Sequence, residues 1–389
     1  MKRTDTIAAI ILLMLAGCGG GGMQSTDDLI IVDVTKSYPE KELILQDFMD
    51  VEYIPLETND EFLTQGWVKT VGKEIILVTN RINDGDIFVY DRSGKALRKF
   101  NRKGEGGEEY LYINDIVLDE DNNEIFVNSQ GAKKILVYDL FGKFKRSFNH
   151  LNDASYRNLF IYDKDNLICY DSNGVTGMDK GERGDKSYHA IISKKDGSIT
   201  RTIYIPFKNN VPQRFERDGG VAVLASGNNA IIPYYDSWIL VESSADTIFK
   251  YSPDGQLTPL IVRTPSIQSP DAEIFFFAEN LCDRYYFMST IKNEFNFETR
   301  RGFPGAGFVY DSQEKAIFDY IIYNDDYTNK MSVSINASVN NEIACWQILE
   351  AHRLVESYEK GELKGKLKEI AAGLDEEDNP VIMLIKYKK

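Results

Sequence analysis

Short apolar runs alternate with polar turns along the chain, and one arrangement of the two recurs five times. An apolar run, a turn and a mixed strand follow each other in DIFVYDRSGKALRKF, KILVYDLFGKFKRSF, HAIISKKDGSITRTI, TIFKYSPDGQLTPLI and GFVYDSQEKAIFDYI. The turns contain Gly94, Gly142, Gly197 and Gly255, which are 48, 55 and 58 residues apart, and Glu314 holds the fifth turn 59 residues further on. A repeat of about fifty residues is the size of a propeller blade.

A second strand pair with a short polar turn precedes each of these runs. Its second members are EIILV, EIFV, NLICY, SWILV, RYYFM and EIACW, which makes six. The central runs, such as IFVY and ILVY, are continuously apolar, as expected for strands sandwiched between neighbouring blades. The pattern predicts an all-β, six-bladed β-propeller with four-stranded antiparallel blades. The predicted blades span about 66–100, 113–148, 157–203, 229–261, 273–322 and 331–387.

The last blade departs from the pattern. Its third strand, Val381–Tyr387, comes late in the chain because a segment with helical spacing intervenes, with apolar residues at Leu354, Val355, Tyr358, Leu363, Leu367 and Ile370. This spacing predicts one amphipathic helix inserted in the blade. No outer strand follows Tyr387, and VEYIPLE at 51–57 is the unassigned strand candidate. We therefore predict that strand 51–57 closes the ring of a propeller that spans 43–389.

The N-terminus has the pattern of a bacterial lipoprotein. Basic Lys2 and Arg3 precede an apolar run that is too short to span a bilayer, which indicates a signal peptide over 1–17. LAGC then ends at Cys18 and resembles a lipobox, so Cys18 is the predicted lipidation site. Residues 18–42 begin with GGGGMQSTDD and are predicted to be a flexible tether. Gly19, rather than Asp, after the cysteine predicts an outer-membrane lipoprotein, either periplasmic or surface-exposed.

Charge and cysteine content limit the partners. Cleavage before Cys18 removes Lys2, Arg3 and Asp5 and changes the formal net charge from −15 to −16. Nucleic acid and anionic lipid headgroups repel such a chain. The remaining cysteines, Cys169, Cys282 and Cys345, are odd in number and lack C-x-x-C spacing, so we predict no disulfide framework and no metal cluster.

A glycine-rich stretch, NRKGEGGEEY at 101–110, has two interpretations. Gly104, Gly106 and Gly107 suggest a phosphate loop, but Glu108 and Glu109 follow them where a helix and a lysine are needed. The favoured interpretation is a connection from the outer strand of the first blade to the inner strand of the second. In that case the glycines supply unusual backbone dihedrals.

With these motifs, the chain resembles the six-bladed β-propeller lipoproteins of Gram-negative gut anaerobes, a family related to NHL-repeat propellers. RKGEGGEEY is similar to their blade connection, with Gly107 where proline is usual and Glu108 where glycine is usual. SADTIFKYSPDGQLTPLI and EEDNPVIMLIKY are closer matches. The resemblance covers about 51–388 and implies the fold, but it implies no catalytic residues.

Two functions remain open. A hydrolase or lyase on an NHL-like propeller normally needs His, Asp or Glu side chains that converge on the central channel, often around a metal. The three histidines, His150, His189 and His352, are predicted in a blade connection, at the head of a third strand and on the inserted helix. The sequence therefore favours a non-catalytic binding scaffold without a cofactor, which binds a protein, peptide or glycan and is accessory to nutrient uptake.

The lengths of the loops indicate where such a scaffold binds. Short turns, which include Ser93, Phe141, Asp196 and Asp254, share one face, whereas long insertions at 171–187, 289–307 and 350–372 share the other. Long loops on a rigid scaffold usually carry contacts, although they are also compatible with variable surface segments. Aromatic residues and arginine are enriched at binding surfaces. The first candidates are Phe295, Phe297, Arg300, Arg301 and Phe303, and the second are Arg81, Lys133, Arg183 and Asp246; the alternative for each is a solvated loop residue.

Overall fold

The structure, a computed structural model, describes residues 29–176, 181–182, 186–217, 219–224, 229–335 and 338–388. It confirms the predicted fold class, since the chain forms a six-bladed β-propeller with antiparallel blades. The described chain begins with three strands and one turn of helix: β1 (Ile30–Asp33), β2 (Glu40–Ile44), α1 (Leu45–Phe48) and β3 (Met49–Pro55).

Five blades follow, each with four main strands in order from the axis to the rim. Blade 1 contains β4 (Trp67–Val71), β5 (Ile75–Thr79), β6 (Asp86–Asp91) and β7 (Ala96–Asn101). Blade 2 contains β8 (Asp115–Asp119), β9 (Glu124–Ser129), β10 (Lys134–Asp139) and β11 (Phe144–Asn149), with short 3-10 turns at Gln130–Ala132 and Leu151–Asp153.

Blades 3 and 4 are interleaved with short loop elements. Blade 3 contains β12 (Tyr156–Ile161), β13 (Asn166–Asp171), β15 (His189–Ser193) and β16 (Ile199–Ile203), with α2 (Asn173–Thr176) and β14 (Gly181–Glu182) in its long loop. The connection onward holds β17 (Asn209–Asn210), β18 (Arg214–Arg217) and β19 (Gly220–Val223). Blade 4 contains β20 (Ile231–Tyr234), β21 (Ser237–Leu240), β22 (Thr247–Tyr251) and β23 (Leu257–Thr264).

Blade 5 has the largest sheet, and blade 6 has the largest insertion. Blade 5 contains β24 (Ile274–Leu281), β25 (Tyr285–Lys292), β28 (Gly305–Asp311) and β29 (Ala316–Tyr323), with β26 (Phe295–Asn296) and β27 (Arg301–Gly302) in its loop and β30 (Ser332–Val333) on β29. Blade 6 contains β31 (Ile343–Leu349), α3 (Ala351–Glu359), α4 (Gly365–Ala371) and β32 (Val381–Tyr387).

The ring is closed by strand β3 at Met49–Pro55, which begins and ends two residues earlier than the predicted closing strand at 51–57. Strand β3 pairs antiparallel with β32, from Met49 opposite Tyr387 to Pro55 opposite Val381. Blade 6 thus takes its outer strand from the N-terminus. On its axial side the described part of 334–340 runs beside β31, where Val339 donates its N–H to the carbonyl of Ile343.

Six clusters of buried apolar side chains lie between successive blades. The second strands β5 and β9 are buried along their whole length, because each is covered on both faces by a neighbouring blade. Ile76 and Val78 pack toward blade 6, whereas Ile75 and Leu77 pack toward blade 2. This alternation is the reason that the middle strands read as continuous apolar runs.

The predicted flexible tether over 18–42 is wrong for its second part. Strand β1 pairs in parallel with the outer strand of blade 4, and β2 pairs in parallel with the outer strand of blade 5. Together with β3 on blade 6, residues 30–55 form an N-terminal belt along three successive blade rims. Ile30, Val32 and Leu43 are buried there, and this apolar burial fixes the chain in a way that a glycine-rich tether cannot.

The inserted segment of blade 6 forms two helices, which corrects the prediction of one. α3 ends at Glu359 and α4 begins at Gly365, and between them Gly361 has a φ of +70°. A left-handed residue interrupts the helical hydrogen bonds, so the apolar stripe divides. Leu354, Leu363 and Leu367 are nevertheless buried as one cluster against Tyr327 and Val381.

The stretch 101–110 connects blade 1 to blade 2, but the glycines act differently from the prediction. The backbone φ of Gly104, Gly106 and Gly107 is not positive. The Glu109 carboxylate instead accepts the Gly106 N–H at 2.8 Å and lies against Gly104, where a Cβ would clash with it. The loop therefore binds its own carboxylate, and Gly104 leaves room for this close approach.

Candidate functional site

The two faces of the propeller differ as the loop lengths indicate. Turns between third and fourth strands are tight, and Gly94, Gly142, Gly197 and Gly255 all have positive φ there. The opposite face, which we call the long-loop face, carries the blade connections and the loops between second and third strands. It includes residues 80–85, 102–114, 204–217, 293–304 and 350–380. Both of the pockets considered below lie on this face.

The first pocket, the insertion pocket, has a volume of about 700 Å³ and lies at the blade 5 insertion. Phe295 and Phe297 meet edge to face with ring centroids 5.0 Å apart, and Phe303 packs against Phe295 at 5.6 Å. The pocket is lined by Phe215, Arg217, Glu294, Phe295, Asn296, Phe297, Glu298, Arg301, Gly302 and Pro304. Three of the first candidates thus line one pocket, while Phe303 supports it from behind.

Short β-pairing shapes the insertion. Strands β26 and β27 pair antiparallel, Phe303 donates its N–H to the carbonyl of Glu294, and Lys292 donates its N–H to the carbonyl of Pro304. Arg300 and Phe303 have left-handed backbones, with φ of +53° and +56°. Arg300 is exposed at the tip of the loop and does not line the pocket, whereas the next residue, Arg301, does line it.

The sequence analysis missed the other wall of this pocket. Strands β18 and β19 form a hairpin in the connection between blades 3 and 4, and its Phe215 ring lies 6.2 Å from the ring of Phe297. Gly220 packs on the edge of Phe297 where a side chain would clash. The signal was present in the sequence as RFERDGGVAV, an aromatic residue and two arginines around a diglycine turn.

The second pocket, the mouth pocket, has a volume of about 370 Å³ and lies where the inner strand of blade 1 meets the connection to blade 2. Arg81, one of the second candidates, stacks on the ring of Trp67 with its guanidinium carbon 5.0 Å from the ring centroid. Trp346 supports Trp67 edge-on at 5.1 Å. The pocket is lined by Trp67, Lys69, Thr79, Asn80, Arg81, Asn83, Asp84, Gly85, Asp86 and Ile113.

Lys69 enters the mouth pocket because the inner strand is irregular. The register of β4 on β5 shifts between Val68 and Thr70, so Lys69 is an extra residue in a β-bulge. Its ammonium donates to the carbonyl of Asn114 at 2.9 Å. Burial lowers the pKa of Lys69, and the nearby charge of Asp115 partly offsets that effect.

Of the other residues in the second candidate group, Lys133 and Asp246 make contacts within the protein, and Arg183 lies outside the described residues. The ammonium of Lys133 donates to the carbonyl of Asp153 at 2.9 Å on an exposed loop. The Asp246 carboxylate accepts the Ser266 hydroxyl and the Ile267 N–H, both at 2.6 Å, and so holds the next blade connection. Arg183 and the predicted lipidation site Cys18 lie outside the described residues.

Two histidines have structural roles. His150 Nε2 lies 2.9 Å from the acceptor Oδ1 of Asn128, so this nitrogen carries the proton, and burial lowers the pKa of His150 to about 4. Nε2 of His189 lies 3.0 Å from the carbonyl of Ala230, and His352 is exposed on α3. Among the described residues, no group of three or more His, Cys, Asp or Glu side chains is arranged to hold a metal ion.

The three described cysteines are buried and form no disulfide within the described part of the chain. Cys169 and Cys345 lie in second strands, and Cys282 follows the inner strand of blade 5. Burial raises the pKa of the Cys169 and Cys282 thiols, which keeps them protonated and unreactive. None of the helices in the described part of the chain has the length and apolar character needed to cross a membrane.

Comparison with known proteins identifies a family of unknown function and solved structures of similar fold. The family described as "Domain of unknown function (DUF4934)" matches residues 29–386. A Bacteroides fragilis protein named as an exported protein aligns with a TM-score of 0.55 at 15% identity, over 93% of this chain and 100% of that one. No curated protein matches the sequence.

Two further solved structures are more distant. A member of the DUF4221 family from Bacteroides vulgatus has a TM-score of 0.47 at 10% identity and covers 88% of this chain and 98% of its own. Virginiamycin B lyase from Staphylococcus aureus has a TM-score of 0.37 at 12% identity and covers 87% and 100%. Likeness at this level carries no functional argument.

Proposed function

Because the chain belongs to the family of unknown function DUF4934, whose description names no activity, we propose its function from the long-loop face. The protein is a non-catalytic scaffold that binds a protein, peptide or glycan partner through this face. The observation that carries the proposal is the insertion pocket, in which Phe297 is 37% exposed and Arg301 is exposed beside it.

Exposed aromatic rings and arginines are the side chains that most often dominate binding energy. Here Phe215, Phe295, Phe297 and Phe303 form a continuous ring-to-ring cluster from two loops. The pairing of β26 with β27 and the backbone hydrogen bonds at both ends of the insertion support the cluster, so we expect it to be formed before a partner binds. Such pre-organisation reduces the entropy lost on binding.

We further propose that the scaffold is an outer-membrane lipoprotein anchored at Cys18 and accessory to nutrient uptake. The lipobox-like LAGC supports the anchor, and the structural relative named as an exported protein agrees with an envelope location. A chain with a net charge of −16 after processing does not favour nucleic acid as the partner. Metabolic labelling with an acyl precursor checks the anchor: Cys18→Ser should remain unprocessed and unlabelled, whereas normal labelling would disprove it.

Substitutions on the two faces test the binding site. We expect Phe297→Ala with Arg301→Ala to weaken partner binding by about 1 to 2 kcal/mol or more, since each removes an anchor residue. The melting temperature should stay nearly unchanged because both side chains lie outside the blade cores. The measurement is the affinity of residues 29–389 for hits from glycan and peptide arrays and from cross-linking in envelope membranes.

Phe141→Ala is the matched control for these substitutions. Phe141 is 73% exposed on the short-turn face and also lies under an arginine, with the guanidinium carbon of Arg98 4.6 Å from its ring centroid. Its loss should leave binding unchanged. Binding that survives the double substitution, or that is lost with Phe141→Ala, would show that the long-loop face is not the binding surface.

A further inference from the structure

The mouth pocket contains two positive side chains, Lys69 and Arg81, and the nearby charge of Asp115 acts on Lys69 without forming an ion pair with it. Within the described part of the chain, neither Lys69 nor Arg81 has a carboxylate within ion-pair distance. Lys69 makes one hydrogen bond through its ammonium, to the carbonyl of Asn114, although an ammonium has three donors. The guanidinium of Arg81 lies over the Trp67 ring, and its five N–H groups match a carboxylate.

A buried hydroxyl in the same pocket also lacks a partner. Thr79 is 3% exposed, lies directly opposite Trp67 in the β4–β5 pair, and its Oγ1 makes no hydrogen bond with the described residues. Leaving such a group unsatisfied costs about 1–3 kcal/mol, so a ligand that supplies a partner for it gains affinity. Residues opposite one another share a face of the sheet, which places this hydroxyl on the same side as the Trp67 ring.

The pocket presents acceptors as well as donors. Asp84 accepts the Asn80 side-chain N–H at 2.7 Å, and Asp86 accepts the Asn101 side-chain N–H at 2.9 Å, with Lys99 3.5 Å from its other oxygen. These contacts fix the two carboxylates but leave lone pairs on their oxygens, because each carboxylate has about four acceptor sites. A simple anion would meet repulsion from them. A ligand that carries hydroxyl donors beside its own negative charge would satisfy both sets of groups.

We propose that the mouth pocket binds an acidic sugar, with its carboxylate between Arg81 and Lys69 and its ring against Trp67. The sugar hydroxyls then donate to Asp84 and Asp86, and one of them pairs with Thr79. The volume of about 370 Å³ lies within the range of small-molecule sites. A peptide C-terminus fits less well, because such carboxylates are usually captured by backbone N–H groups and bring few hydroxyl donors.

Paired sugars that differ only at the carboxylate test the proposal. With residues 29–389, titration followed by saturation-transfer NMR should show binding of galacturonate or glucuronate at least tenfold tighter than binding of galactose or glucose. Arg81→Gln should remove most of that preference, and Thr79→Val, which keeps the shape of the side chain, should weaken uronate binding about three- to tenfold.

Arg301→Gln in the insertion pocket is the matched control and should leave uronate binding unchanged. Equal affinity for the acidic and neutral sugars, binding of C-terminal peptides in place of uronates, or no binding of either uronate would each overturn the proposal. Since Arg81 is a loop residue, its substitution does not threaten the fold. The insertion pocket is a separate site, so failure of this test leaves the proposed function standing.

Discussion

The outer edges of blades 1 to 3 are built differently from the outer edges of blades 4 to 6. In blades 1 to 3, the outer strands β7, β11 and β16 are the last strands of their sheets. In blades 4 and 5, the outer strands β23 and β29 are covered by β1 and β2 of the N-terminal belt, and in blade 6 the belt strand β3 is itself the outer strand.

The composition of the outer strands follows this difference. β7 contains Arg98 and Lys99, β11 contains Lys145 and Arg146, and β16 contains Arg201. β29, by contrast, reads AIFDYIIY and has one charge in eight residues. An apolar strand with free N–H and C=O groups would pair with other chains, and charged side chains on a bare edge prevent this pairing. The protein therefore protects the outer strands of blades 1 to 3 with charge and those of blades 4 and 5 with an added strand.

Removal of the N-terminal belt should have the largest effect on the free energy of unfolding. A chain that begins at Glu57 loses β3 and the buried side chains Met49 and Ile54, and it leaves β32 as an open edge. Since each buried apolar side chain contributes about 1.5–3 kcal/mol, the free energy of unfolding should fall by several kcal/mol, as measured by urea denaturation.

A chain that begins at Phe48 separates closure from edge protection. It keeps β3 but uncovers β23 and β29, so it should stay closed but self-associate in sedimentation experiments. The control is a chain that begins at Leu29, which should behave as the full protein does. If the chain beginning at Glu57 melts within one or two degrees of the control, the belt does not hold the ring closed.

Loss of one ion pair between the belt and blade 5 should have a smaller effect on the free energy of unfolding. Lys41 of β2 donates to Asp311 at 2.7 Å and to Glu314 at 2.6 Å, and the Asp311 side chain is fully buried. Lys41→Met should lower the free energy of unfolding at pH 7 by about 1.5–3 kcal/mol, as is typical of hydrogen bonds to charged groups. Lys73→Met is the control, because Lys73 pairs with Asp121 in full solvent and should contribute almost nothing.

The effect of Lys41→Met should depend on pH. Burial alone would raise the pKa of Asp311, but hydrogen bonds from Arg284 and Lys41 hold it well below its ordinary value. A depressed pKa contributes stability that is present above the unfolded value of about 3.9 and is lost as the pH falls toward the folded value. The difference between Lys41→Met and the wild type should therefore shrink below pH 4, and a constant difference from pH 7 to pH 3 would contradict this pairing.

Substitutions in the outer strands of blades 1 and 2 should have the smallest effect on stability. They should have a clear effect on self-association. Lys99→Val with Lys145→Val removes two edge charges together with their ion pairs to Asp86 and Glu124, and Arg146 remains available to pair with Glu124. The free energy of unfolding should change by no more than about 0.5 kcal/mol, as for most surface substitutions. Analytical ultracentrifugation should nevertheless show new dimers or larger species. A variant that remains monomeric at high concentration would mean that charge does not protect these edges.

Part of the candidate site could be predicted and part could not. Phe295, Phe297 and Arg301 stand in a long loop between two clear strands, so composition and loop length indicated them. Phe215 was missed although RFERDGGVAV carries an aromatic residue and two arginines, because its role depends on a loop about 80 residues away in sequence. Trp67 was missed because it begins an inner strand like any other. The Asp246 carboxylate accepts hydrogen bonds from Ser266 and Ile267 of its own blade connection, a structural contact that the sequence does not reveal.

The sequence by itself determined the blade repeat and its hydrophobic order, because those patterns depend on period-two side-chain alternation and on tight turns that are local. It also determined which bare edges carry charge. Only the tertiary structure decided that residues 30–44 join the rims of blades 4 and 5 as parallel strands, and that Arg81, Lys69 and Thr79 meet at one pocket. Parallel pairing and pocket formation join residues far apart in the chain, so they depend on how the blades are placed around the axis and leave no local pattern to read.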